Sequence, residues 1–178
     1  MQVTYCRRWN FLRNRPIDPL TEQQARERDR KGELYTAALG VPTDPAVIVE
    51  VERPSIRVKF LDRFQRVSNS FDFRRYDDKM FLHHITNWAY PDDEFRRIDQ
   101  SSVIKSVEYE LPDLAHLRIR DKVANEVTGR SYREVDLSSH WEPVPEFGDW
   151  LSIARYDRDK PVEEQFWAHL LGDGSVSG

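Results

Sequence analysis

Alternation of apolar and polar residues with a period of two dominates the chain from Val47 onward. Alternate residues of a strand face opposite sides, so VIVEVE and IRVKFLD read as consecutive strands. RFQRVSNSFDFRRY comes next, and Ser68-Asn69-Ser70 inside it predicts a bulge or bend. The densest apolar pattern lies in residues 71–91, FDFRRYDDKMFLHHITNWAYP, read as two strands joined at Asp77-Asp78. A two- or four-residue loop there pairs residues whose numbers sum to 155. That register sets Phe73 opposite Leu82, Phe71 opposite His84 and Val67 opposite Trp88. The other face pairs Asp72 with His83 and Arg74 with Phe81. A slip of one residue would exchange the faces.

Further strands are predicted at VIKSVEYEL, LAHLRIR and SYREVDL, with Thr128-Gly129 in the connection before the last. Val3 to Leu12 reads as a first strand, Arg13 to Pro19 as a linker and Glu94 to Gln100 as a short helical link. LSIARYD fits strand or helix equally. Two segments carry helix signals. Thr21 can cap a helix, and Gln24 three residues on completes a capping-box pattern. That helix is expected to run to about Leu39 and end at Gly40, with Gly32 marking a kink or break. Pro161 opens a second helix, in which Val162, Phe166 and Leu170 share a face. Several antiparallel strands flanked by terminal helices give an α+β class. The expected architecture is a curved or partly barrel-like antiparallel sheet with an N-terminal and a C-terminal helix. Residues 1–171 read as one domain and residues 172–178 as a flexible tail.

Composition narrows the function classes. The chain has 178 residues, 33% of them charged and 39% hydrophobic, as a soluble globular domain does. No apolar run is long enough to span a membrane. The N-terminal arginines interrupt any signal-peptide core, and the lone Cys6 cannot form an intrachain disulfide; together these favour the cytoplasm, or an exported route that leaves no cleavable signal. Arg supplies 21 of the 27 basic residues, the bias of a GC-rich bacterial genome. Net charge is −4, which argues against non-specific nucleic-acid binding. Residues 1–31 carry eight basic and four acidic side chains, whereas residues 134–164 carry three and nine.

No catalytic, phosphate-binding or cofactor motif stands out, so no cofactor is expected and a non-catalytic role is favoured. His83 and His84 are neighbours on a strand and should point to opposite faces, which makes them poor joint metal ligands. Cys6 reads as an inert thiol, because reactivity needs exposure and a partner base. The most unusual stretch is WEPVPEFGDW, where Trp141, Phe147 and Trp150 alternate with Glu142, Glu146 and Asp149. One expectation is that its aromatics cap the sheet; the other is that these six residues bind a partner with a basic surface. Aromatic anchors give affinity, and acids give charge complementarity. The leading reading is a small intracellular protein-binding module, such as an inhibitor or immunity-type protein. The alternative is a barrel-like small-molecule-binding protein or enzyme, with His84, Trp88, Tyr90 and a carboxylate lining a pocket.

Overall fold

A computed structural model describes residues 2–156. β1 (Val3–Asn10) and β2 (Arg15–Leu20) form a hairpin, and α1 (Glu22–Lys31) follows. The chain continues through β3 (Tyr35–Val41), β4 (Asp44–Glu52), β5 (Ser55–Leu61), β6 (Val67–Tyr76) and β7 (Lys79–Ala89). The described strands end with β8 (Val103–Glu110), β9 (Leu114–Asp121), β10 (Glu126–Tyr132) and β11 (Trp141–Pro143). Among the described residues the eleven strands make one antiparallel sheet, ordered β10-β9-β8-β7-β6-β5-β4-β3-β1-β2. β11 lies off that path, against β7. β2 and β10 do not pair, so the sheet stays open.

This corrects the α+β expectation of paired terminal helices: among the described residues the chain is nearly all β, with α1 as its one α-helix. The helix predicted from Pro161, and the tail, lie outside the described residues. Thr21 and Gln24 do form the capping box, but the helix stops at Gly32, whose φ of 68° is the left-handed cap. Beyond it Tyr35, Ala37 and Leu39 resume a period of two in β3, between β1 and β4. Pairing on both sides outweighs the helical spacing. Gly40 is not a helix cap; it sits at a register shift with φ 122°, where a Cβ would lie 3.2 Å from the Ala46 amide nitrogen. The expected linker at Arg13–Pro19 is largely β2. Thr128 and Gly129 lie within β10, and residues 151–156, the described part of LSIARYD, are turn and irregular chain.

The central hairpin keeps its predicted register at the tip and loses it further along. Phe73 pairs with Leu82 and Arg74 with Phe81. One step on, Asp72 pairs with His84, because His83 is an extra residue in β7. Past that bulge Phe71 meets Ile85 instead of His84. A second bulge falls at Ser68, where Phe60 pairs with Asn69 but Leu61 with Val67. Ser68 donates its hydroxyl to the Phe60 carbonyl at 3.2 Å.

The inner face of the sheet carries Tyr5, Tyr35, Leu39, Val49, Val58, Phe71, Phe73, Val107 and Leu117, all buried in one cluster. Residues 137–154 cross this face and cover it with Leu137, Val144, Phe147, Trp150 and Ile153. β11 fills the gap where β8 leaves β7, for β7 pairs with β8 over His84–Ala89 and with β11 over Lys79–Phe81. A smaller cluster of Cys6, Trp9, Ala38 and Ile48, with Phe11 and Leu61, holds the β1–β2 hairpin to the opposite side. Among the described residues no helix is long and apolar enough to cross a membrane.

Trp150 is 2% exposed, meets Tyr35 edge-on at 6.0 Å and donates its indole N–H to the Tyr5 hydroxyl at 3.4 Å. Trp150→Ala is expected to cost about 3–5 kcal/mol, as truncation of core aromatics does. A urea-unfolding midpoint equal to the parent's would show that this segment does not hold the inner face.

Candidate functional site

The acidic–aromatic segment divides. Trp150 is in the core, and Phe147 is half-buried, stacked on Tyr5 at 5.4 Å beneath the Arg26 guanidinium at 4.4 Å. Trp141 is half-buried against Phe81, its partner in the β11–β7 pairing. Glu142 accepts a hydrogen bond from Arg155 at 2.6 Å. Glu146 and Asp149 remain exposed, and neither carboxylate has an ion-pair partner among the described residues. The aromatics therefore pack on their own sheet, over its inner face and beside β7 rather than at an open end, and two of the three acids stay exposed.

The alternative trio does not line the sheet interior. His84 and Trp88 lie on the outer face, in register with Asp72 and Ile104. Tyr90 donates its hydroxyl to the Val67 carbonyl at 2.8 Å and lies under the Arg66 guanidinium at 4.4 Å.

What the register assembles instead is a transverse row on the outer face. Glu50, Arg57, Asp72, His84, Glu108, His116 and Ser131 are successive cross-strand partners from β4 to β10. Acid alternates with base or imidazole along it, the arrangement that stabilises neighbouring strands. The Asp72 carboxylate accepts from Arg57 Nε and from the Ser70 hydroxyl, each at 2.8 Å, and His84 Nδ1 lies 3.6 Å away. Burial pushes this carboxyl up, but the imidazole, guanidinium and hydroxyl around it outweigh burial and hold it at about 2. The bulge also corrects the expectation for the histidines. Both rings come to one side, stacked with centroids 6.4 Å apart and planes 25° apart. Burial pushes the His83 imidazole down, with the Arg74 and His84 charges acting the same way.

Chemically this row is a surface of fixed charges. The Ser70 hydroxyl donates its hydrogen bond to Asp72, so it is not arranged as a nucleophile beside a histidine base. Among the described residues no group of three His, Cys, Asp or Glu side chains is placed to hold a metal ion. Burial pushes the Cys6 thiol up to about 11, and its Sγ donates to the Arg8 carbonyl. No protein-family model matches the chain, and no curated protein or solved structure matches it.

Asp72 gives a pH test. Its folded pKa lies below the unfolded value of about 3.9, so its stabilisation is fully present above about pH 4 and is lost as pH falls toward 2. Asp72→Asn is expected to cost about 2 kcal/mol at pH 7, a gap that closes on acidification. Denaturant titrations of parent and variant from pH 7 to pH 2 check it; a constant gap would remove the ionised carboxylate as the cause.

Proposed function

We propose that the protein is a protein-binding module that takes up an extended strand of its partner along β10. The observation that carries this reading is the contrast between the two edges of the sheet. A sheet edge presents a row of unpaired N–H and C=O groups, and proteins commonly block the edges that they do not use. β2 is blocked by Pro16 and Pro19, with Asp18 at a φ of 50° between them. β10 has no proline and no residue with positive φ, and six of its seven residues are exposed. Such an edge accepts a partner strand by main-chain hydrogen bonding, with side chains selecting the sequence.

The edge is complementary to itself. Antiparallel addition centred on Thr128 sets Thr128 against Thr128 and Glu126 against Arg130 of the added strand, twice by symmetry. Thr–Thr and opposite-charge pairs favour this register. A second copy of the chain, or a strand with the same acid–Thr–Arg spacing, is therefore the partner whose chemistry fits. Glu146 and Asp149 offer a basic partner a separate contact, which keeps an inhibitor or immunity-type role within the same reading.

Light scattering across a concentration series tests the edge. A reversible dimer is expected, weakened about tenfold by Glu126→Arg or Arg130→Glu alone and restored when the two are combined. A monomer at every concentration that also fails to bind a peptide spanning residues 125–133 would overturn the proposal.

A further inference from the structure

Three connections meet at one end of the sheet: the hairpin tip after β1, the turn between β5 and β6, and the link between β7 and β8. Asn14 at the hairpin tip accepts from the Trp9 indole at 3.1 Å and donates to Gln65 at 2.7 Å. These contacts hold the tip across the neighbouring turn. Between the connections lies an open-mouthed cavity of about 350 Å³. That is within the range of small-molecule sites, and like them it pairs an apolar lining with a few polar groups. Phe11 and Leu12 line it from the hairpin, Val67 from β6 and Ile98 from the β7–β8 link. Leu12 is 56% exposed and Ile98 42%, so large apolar side chains border a cavity that leaves them uncovered.

The polar group that sets its character is Arg66, which lines the cavity yet is only 8% exposed. Its Nε donates to Asp62 at 2.7 Å, and its Nη1 donates to the carbonyls of Asp92 and Glu94 at 2.5 and 2.9 Å. The rings of Phe64 and Tyr90 lie 4.7 and 4.4 Å from its Cζ. Nη2 makes no hydrogen bond among the described residues. A guanidinium fixed by three hydrogen bonds and two rings, with one nitrogen still able to donate, is a preorganised donor to an anion. The neighbouring cations are differently placed. Lys59 is taken by Glu50 at 2.8 Å, while Arg97, paired with Asp99, stands half-exposed at the mouth.

We propose that this cavity binds a small amphipathic anion of the medium-chain carboxylate class. The carboxylate accepts from Arg66 Nη2, and the apolar chain lies between Leu12 and Ile98. This site is independent of the β10 edge.

The test is calorimetric titration of the protein with decanoate below its micellar range, with decanol as the uncharged control. Saturable one-to-one binding of decanoate is expected, with decanol at least about tenfold weaker. Leu12→Asp and Ile98→Asp place a like charge in the apolar wall at exposed positions. Each is expected to weaken decanoate at least about tenfold while leaving the melting temperature unchanged. Arg66→Lys, where melting shows it folded, should narrow the preference for decanoate over decanol. The proposal is overturned by three results: no saturable binding of decanoate, equal binding of the two compounds, or undiminished binding by both aspartate variants.

Discussion

A single sheet with one apolar face cannot leave that face wet. At roughly 25 cal/mol per Å², burial of such a surface dominates the other terms that hold the fold. Among the described residues neither a second sheet nor a helical layer provides the cover. Residues 137–154 do it, anchored where Tyr5, Tyr35, Phe147 and Trp150 meet ring against ring. The other features follow from this contact. β11 can enter the gap beside β7 because its neighbours in sequence are already pinned to the inner face. α1 lies against the same cluster through the fully buried Ala25. Asp29, at the far end of α1, accepts from the Tyr35 hydroxyl and from Arg53. The acidic–aromatic segment thus spends most of its aromatic surface on its own molecule.

Local patterning makes much of the sheet legible in the sequence. Phe73 against Leu82 follows from alternation plus the turn at Asp77-Asp78, and both are short-range facts. The bulge at Ser68 was visible as three small polar residues within an apolar run. The bulge at His83 was not, because nothing in HHIT distinguishes an inserted histidine from a paired one. That single insertion shifts every pair from Asp72 onward by one residue. The helix expected to reach Leu39 failed for another reason: Leu34, Tyr35, Ala38 and Leu39 fit a helical stripe as well as a strand. Only partners on both sides decide between them.

The candidate sites were less legible still, since they are made of residues distant in sequence. The outer-face row joins residues from seven strands, and its members become neighbours only once every register is known. Arg66 looked like one arginine among 21, and no sequence signal separates a guanidinium held by Asp62 and two carbonyls from a solvated one. The β10 edge was partly hidden by reading Thr128-Gly129 as a connection. What the sequence does carry is the proline pair in β2, a mark of a protected edge that a linker shares.

The contact between Trp150 and Tyr5 spans 145 positions of the chain. A ribosome delivers Tyr5 first and Trp150 near the end of the described length, and local pairing of successive strands can form in the meantime. Throughout that interval the nascent meander displays Phe71, Phe73 and Leu82 without their cover. Such an intermediate is sticky, and its closure waits on one late segment rather than on gradual accretion. The protein's exposure to misassembly is thus set by the order of translation, and residues 137–154 act as the step that ends it.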